Sequence, residues 1–165
     1  VEYDGPVSIR YPRGNGVGVP IDDIPRLLEI GRGEIVAEGG DLTIIAVGST
    51  VYPALAAAAR LREKGIRAGV INARFVKPLD GQLLCDAAAA SKRVLTVEEN
   101  ALMGGFGSAV LELFGERKLQ GLTVKRLGIR DEFPEHATQR ELRAMYGLNE
   151  EGIVAAALDL MGHGQ

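Results

Sequence analysis

The sequence has 165 residues, of which 46% are apolar and 25% charged, and its net charge is −3. This length and apolar content suffice for one compact domain with a core, and they exclude disorder by composition. Basic and acidic residues are spread along the chain, which argues against nucleic acid or an anionic membrane as a partner. There is no apolar run of about 18 residues and no basic, apolar leader, so we expect a soluble protein with no membrane span or secretory signal.

The first 32 residues differ in character from the rest. Residues 6–11 read as a strand, and the stretch up to residue 32 is punctuated by proline, glycine and aspartate without periodicity. Such punctuation is typical of a connector that runs over a surface. The sequence therefore predicts a domain boundary near Arg32, with residues 33–165 forming the following domain.

The second region begins with two strand-like runs, 34–38 and 42–47, joined across Gly39-Gly40-Asp41, and this spacing predicts a hairpin. Polar caps and apolar periodicity then predict alternating helices and strands. These are a helix from Thr50 to Gly65, a strand 68–71, a helix capped by Asp80, a strand 94–97, a helix around 110–114, a strand 122–127, a helix after the capping box at 138–141 and a last helix capped by Asn149.

Strands separated by helices of this length pair in parallel through right-handed crossovers. The fold class is therefore α/β. We predict a three-layer α/β/α domain with a mostly parallel five-stranded sheet, in which the first hairpin strand is the one antiparallel edge strand.

In such a sheet the ligand crevice lies beyond the carboxyl ends of the strands, so four polar loops are candidates for the site: residues 48–50, 72–74, 98–100 and 128–131. In the second loop, Arg74 and the nearby Lys77 could bind an anion, but helix capping and solvation at the surface explain them equally well.

Glu98 and Glu99 precede a glycine-rich run, 104–107, at a predicted helix start. The run departs from GxGxxG, and two carboxylates would repel a diphosphate, so we do not assign it to a dinucleotide. The glycines instead suggest close approach to a neighbouring chain or domain. Adjacent strand residues point to opposite faces, so the two glutamates are expected to serve structural or interface roles and not to act on one bond.

Residues 10–15, Arg-Tyr-Pro-Arg-Gly-Asn, place two guanidinium groups beside a Pro/Gly turn. A guanidinium is a fixed fork of donors suited to phosphate or carboxylate, so Arg10 and Arg13 are candidate anion ligands. The alternative is that both arginines only solvate the end of a strand.

Other reactive side chains are few. Cys85 lies in an alanine-rich helical pattern and is expected to be a small buried residue, in keeping with a reducing cytoplasm. His136 precedes a helix start, where a hydrogen-bonding surface role competes with that of a general base. No His, Cys and carboxylate cluster has metal-ligand spacing, so no metal site is predicted.

Three segments carry a family resemblance: residues 10–15 (RYPRGN), 72–80 (NARFVKPLD) and 96–100 (TVEEN), the last followed by 103–107 (MGGFG). Their order and spacing are similar to the carboxyl-terminal portion of the 1-deoxy-D-xylulose-5-phosphate synthases, transketolase-type enzymes. The resemblance extends from about Gly5 to Gly162.

This resemblance implies a transferase that condenses pyruvate with glyceraldehyde 3-phosphate to 1-deoxy-D-xylulose 5-phosphate and CO2, using thiamine diphosphate and Mg²⁺ as a cytoplasmic homodimer. Residues 1–32 would end the pyrimidine-binding domain and form the interdomain linker, and residues 33–165 would be the transketolase C-terminal-like domain. Arg13 would bind the acceptor phosphate, with Arg10 and Tyr11 as weaker substrate-binding candidates. The catalytic, cofactor and metal residues would lie in the preceding domains.

Two alternatives stay open at this point. The chain also fits a non-catalytic assembly or regulatory module, or part of a transketolase or 2-oxo-acid dehydrogenase type of thiamine enzyme. Because the chain begins at Val1 on an extended apolar segment, we expect it to be part of a longer polypeptide that is inactive alone.

Overall fold

The computed structural model describes residues 3–12, 14, 16–19 and 23–162. Within these residues, regular secondary structure begins at Glu34. The strands are β1 (Glu34–Ala37), β2 (Leu42–Ala46), β3 (Ala68–Asn72), β4 (Arg93–Ala101) and β5 (Thr123–Ile129). The helices are α1 (Val51–Glu63), α2 (Gly81–Ser91), α3 (Phe106–Glu116), α4 (Gln139–Met145) and α5 (Glu150–Leu160), and a single 3₁₀ turn, Gly48–Thr50, precedes α1.

The five strands form one sheet in the order β1-β3-β2-β4-β5. β2, β3, β4 and β5 pair in parallel, whereas β1 lies antiparallel to β3 at one edge. The predicted α/β class, the mostly parallel five-stranded sheet and the antiparallel edge strand are therefore confirmed.

The alternation of side chains along β2 divides the core into two layers. Leu42, Ile44 and Ala46 point into a cluster with α1 and α5, whereas Ile45 points into a cluster with α2 and α3. Every residue of β2 is buried, as expected for a central parallel strand covered by helices on both faces. Full burial of one such aliphatic side chain contributes about 1.5–3 kcal/mol.

The predicted hairpin of the first two strands is wrong, because β3 lies between β1 and β2. The connection instead crosses the start of β3, where a Cβ on Gly39 would lie 2.2 Å from the backbone nitrogen of Gly69. Asp41 secures the crossing through the backbone N–H of Arg67, 2.7 Å from its carboxylate. Glycine at position 39 is thus required by a close backbone crossing and not by a tight turn.

The predicted strand over residues 6–11 is also wrong. These residues are exposed, and no strand in the described part of the chain pairs with them. The apolar residues of this segment gave it the composition of a strand. A strand also needs a neighbouring strand to pair with, and residues 6–11 pair with none of the five strands.

Three of the four helix caps predicted from the sequence are confirmed. Asp80 accepts the backbone N–H of Leu83 at 3.2 Å, and Asn149 accepts that of Gly152 at 3.0 Å. The capping box of Thr138 and Glu141 is present at the start of α4. Thr50 is the exception, because its hydroxyl donates to the carbonyl of Val97 at 2.9 Å and makes no cap bond to α1.

β4 is longer than predicted and continues through Glu98 and Glu99, which the sequence placed in a loop. Its pairing with β5 is irregular there, so that residues 98–100 lie opposite Gly128 alone. A bulge of this kind re-aims side chains at the end of a strand.

Glu98 is buried, with 1% of its surface exposed, and its carboxylate closes the start of α3. The two oxygens accept the backbone N–H groups of Phe106, at 2.6 Å, and Gly107, at 2.7 Å. A negative charge is favourable at a helix N-terminus, where amide groups lack helical partners. The anion site that a glycine-rich helix start offers is therefore filled by the chain itself.

Gly105, in the glycine-rich loop before α3, packs against the end of β4 in its own chain. The expected approach of this loop to a neighbouring chain or domain stays a prediction. A Cβ on Gly105 would lie 2.0 Å from the carbonyl oxygen of Ala101 and 2.4 Å from the Glu98 carboxylate. The loop must approach the end of β4 this closely for Glu98 to reach the amides of α3.

We expect Glu98→Ala to lower the free energy of unfolding by about 3 kcal/mol or more, because it leaves two buried N–H donors without an acceptor. Glu98→Gln keeps the volume but loses the charge, and should cost less. Urea unfolding of the chain measures both. Glu112→Ala, at an exposed position of α3, is the control and should stay within about 0.5 kcal/mol of wild type. Equal stability of Glu98→Ala and wild type would contradict the capping role.

Candidate functional site

Two of the four predicted loops meet beyond the carboxyl ends of the strands. Ser49 donates its hydroxyl to the carboxylate of Glu99 at 2.5 Å, which joins the loop after β2 to the end of β4. The same carboxylate accepts a hydrogen bond from Nε of Arg143 on α4 and forms an ion pair with it. Glu99 is thus the centre of a polar contact between three elements.

Glu98 and Glu99 point in different directions, as the alternation of strand side chains predicts. Glu98 reaches α3, whereas Glu99 reaches Ser49 and Arg143. The structure therefore supports the expectation that the pair does not act on one bond.

An open groove of about 240 Å³ lies beside Glu99 and Arg143. Its wall is mostly apolar, and one lining residue, Pro12, comes from the Arg-Tyr-Pro-Arg-Gly-Asn segment. The groove is lined by Pro12, Glu99, Ile129, Pro134, Gln139, Leu142, Arg143, Tyr146 and Leu148. Pro12 thus lies at the carboxyl edge of the sheet.

The pKa of Glu99 reflects two opposing effects. Burial favours the protonated form, but the hydrogen bonds from Arg143 and Ser49 and the charge of Arg143 outweigh it and hold the pKa below the ordinary value of 4.5. Glu99 is therefore ionised at neutral pH and serves as a fixed anchor for Arg143.

The predicted substrate-binding residues are placed only in part. Arg13 lies outside the described residues. Arg10 is exposed, and Tyr11 has 84% of its surface exposed. Nothing in the described chain covers these two side chains.

The other candidates do not join the groove. Arg74 forms an ion pair with Glu34 on β1, and Lys77 is exposed. His136 is exposed. Cys85 is half-buried, and burial raises the pKa of its thiol, which disfavours the reactive thiolate.

Sequence reasoning missed Arg143, which completes the contact at Glu99. A signal was available, since an acidic residue at the carboxyl end of a strand needs a cation nearby and α4 follows β5 at the same edge. The pairing itself joins residues 44 positions apart, and no local pattern predicts such a contact.

The described ranges offer neither a cluster of metal ligands nor a membrane-spanning helix. No group of three or more His, Cys, Asp or Glu side chains could hold a metal ion there. None of the helices in those ranges has the length and apolarity needed to cross a bilayer.

The lowered pKa of Glu99 predicts an acid-dependent loss of stability. A carboxylate whose folded-state pKa is depressed stabilises the fold above its unfolded pKa, and that stability is lost as pH falls through the folded-state pKa. We expect the difference in unfolding free energy between wild type and Glu99→Gln to be largest at neutral pH and to shrink below about pH 4.5. Urea unfolding across this range measures it, and a difference independent of pH would contradict the ion pair.

Comparison with known proteins agrees with this architecture. Residues 31–153 match the family model of the transketolase C-terminal domain. Among solved structures, a split-gene transketolase described as an inactive beta4 tetramer superposes with a TM-score of 0.76 at 37% identity. The match covers 84% of this chain and 45% of that one.

The chain is also similar to curated relatives named 1-deoxy-D-xylulose-5-phosphate synthase. That of Syntrophus aciditrophicus is 58% identical over 97% of this chain, and synthase 1 of Geobacter sulfurreducens is 57% identical over 94%. The chain spans about a quarter of the length of these relatives, 25% and 24% respectively. The family resemblance read from the motifs is confirmed: this chain belongs to the transketolase C-terminal domain family.

Proposed function

We propose that this chain forms the carboxyl-terminal quarter of a 1-deoxy-D-xylulose-5-phosphate synthase, a thiamine diphosphate-dependent transferase. The complete enzyme would condense pyruvate with glyceraldehyde 3-phosphate and release CO2. The observation that carries this proposal is the 58% identity to a relative of that name over nearly the whole chain. The proposal also places the enzyme in the cytoplasm.

Within the proposed enzyme, thiamine diphosphate and Mg²⁺ belong to the remainder of the protein. The residues of this chain do not fit them, because the Glu98 carboxylate occupies the glycine-rich start of α3. The described side chains also offer no cluster of metal ligands. The isolated chain is therefore proposed to be inactive, with no catalytic residue of its own.

The contribution proposed for this chain is to bind the phosphate of the acceptor aldehyde through Arg13. A bidentate guanidinium grips a phosphate remote from the reacting carbonyl, and that binding energy orients the carbonyl for attack. The position of Pro12, the residue before Arg13 in sequence, supports this, because Pro12 lines a groove at the edge of the sheet where ligands of such folds bind. Arg10 and Tyr11 are secondary candidates.

A second proposed contribution is contact with the rest of a homodimeric enzyme. Residues before Glu34 expose many large apolar side chains, which a chain in water rarely leaves uncovered in such number. They include Val7, Ile9, Tyr11, Val17, Val19, Ile24, Leu27, Leu28 and Ile30. We propose that the preceding domain or the second subunit covers them.

A non-catalytic assembly module is the competing proposal. The likeness to a split-gene transketolase described as an inactive tetramer favours it. Higher identity to the synthases than to that structure, 58% against 37%, favours the first proposal.

A chimera tests the proposed function. We expect a synthase from Syntrophus aciditrophicus, with its matching quarter replaced by this chain, to form 1-deoxy-D-xylulose 5-phosphate from pyruvate and glyceraldehyde 3-phosphate. The isolated chain should form none, because the residues that hold the cofactor are absent from it. Product measured by chromatography distinguishes the two. Turnover by the chain alone, or a folded chimera that makes no product, would contradict the proposal.

In that chimera, Arg13→Ala should raise the KM for glyceraldehyde 3-phosphate by about ten- to a hundredfold and leave the KM for pyruvate nearly unchanged. Loss of a charged hydrogen-bonded contact costs about 1.5–3 kcal/mol. Steady-state kinetics with each substrate varied in turn measure the split. Arg62→Ala, at an exposed position of α1, removes the same side chain elsewhere and should change neither constant. An equal effect of Arg13→Ala on both substrates would refute the assignment.

A further inference from the structure

Residues 130–147, between the end of β5 and Leu148, form a surface segment that contains α4. The structure describes all of these residues, and not one of them is buried. Both ends of the segment are anchored, because Leu148 has 2% of its surface exposed and the carbonyl of Ile129 accepts the backbone N–H of Leu102 at 2.8 Å. The segment is therefore fixed where it leaves and rejoins the domain, while its middle lies on the surface.

Open space separates α4 from the domain on two sides. The groove of about 240 Å³ beside Glu99 lies between α4 and the sheet edge, with Ile129 on one wall and Leu142 on the other. A second groove, of about 510 Å³, lies between α4 and α1, with Arg140 on one wall and Tyr52 on the other. Among the described elements, none packs broadly against α4. Close apolar packing therefore contributes little to holding α4 in place.

The Glu99–Arg143 ion pair lies between these two grooves. Arg143 lines both of them, and its Nε donates to Glu99 at the end of β4. Glu99 is held in turn by the hydroxyl of Ser49. Tyr146 also packs partly against the core cluster of α1 and α5, but it lies beside the anchored end at Leu148. Arg143 thus makes the polar bond that holds the rest of α4 to the domain.

The two ends of the segment have the features of hinges. Gly147, next to the buried Leu148, has a φ of 66°, in the left-handed region that glycine adopts without strain. At the other end the chain leaves β5 after Ile129. Residues at the ends of elements absorb the φ/ψ changes of hinge motions. Rotation at these two points moves α4 without disturbing the buried strands.

We propose that residues 130–147 form a flap over the carboxyl ends of β4 and β5, and that the Glu99–Arg143 ion pair is its latch. When the pair separates, α4 turns away from the sheet and the groove beside Glu99 opens into a wider cleft. The flap thereby controls access to the edge of the sheet at which ligands of such folds bind. It is a property of this chain and does not depend on the reaction that the complete enzyme catalyses.

Hydrogen–deuterium exchange of the 165-residue chain tests the flap. A helix of seven residues is unstable in water without packing, so opening should release its amides to exchange. We expect the exchange rate of residues 142–146 to be independent of urea at low concentration, because local opening exposes little surface. Exchange in the buried strand β2, which needs global unfolding, should become faster as urea rises.

Variants of the ion pair test the latch. Without urea, Glu99→Gln should raise the exchange rate of residues 142–146 by about two- to fivefold, as expected for loss of a partly exposed pair. Arg143→Gln should do the same, and the double variant should add little to either. Arg60→Ala is the matched control, because it removes an ion pair of α1 with Glu150 on α5 and leaves the latch intact. It should leave the exchange rate of α4 unchanged.

Two results would overturn the proposal. If exchange in α4 showed the urea dependence of β2, the segment would move only with global unfolding and would not be a flap. If Glu99→Gln left the exchange rate of α4 unchanged, or if Arg60→Ala raised it equally, the ion pair with Arg143 would not be the latch.

Discussion

The buried bond between Glu98 and the start of α3 is the constraint on which the site depends. With 1% of its surface exposed, this carboxylate is stabilised by hydrogen bonds that two backbone N–H groups donate to it. It fixes the direction of the last residues of β4, and since neighbours on a strand point to opposite faces, it sends Glu99 towards α4. The groove and its ion pair follow from that orientation.

The same bond explains why a glycine-rich helix start here does not bind a phosphate. A free helix N-terminus attracts anions, but in this chain an internal carboxylate supplies the anion and the closely packed Gly105 leaves no room for another.

The short helix α4, which has no buried residue, contacts the sheet through the ion pair of Arg143 with Glu99. Exposed ion pairs contribute little to stability, about 0–1 kcal/mol, and Arg143–Glu99 is not strongly buried, with 27% and 23% of the side chains exposed. Its importance is geometric. It joins α4 to the end of β4, and residues of both elements line the groove.

The sequence by itself determined the α/β class, the order of the helices and strands, and the caps at Asp80, Thr138 and Asn149, because periodicity and capping act over a few neighbouring residues. It also identified the family, through motifs that stay contiguous in the chain. Only the tertiary structure decided that β3 separates β1 from β2, that residues 6–11 are no strand, and that Glu99 meets Arg143. These outcomes depend on contacts between residues far apart in sequence, such as the crossing of Gly39 over Gly69, and local patterns carry no information about which distant surfaces will pack together.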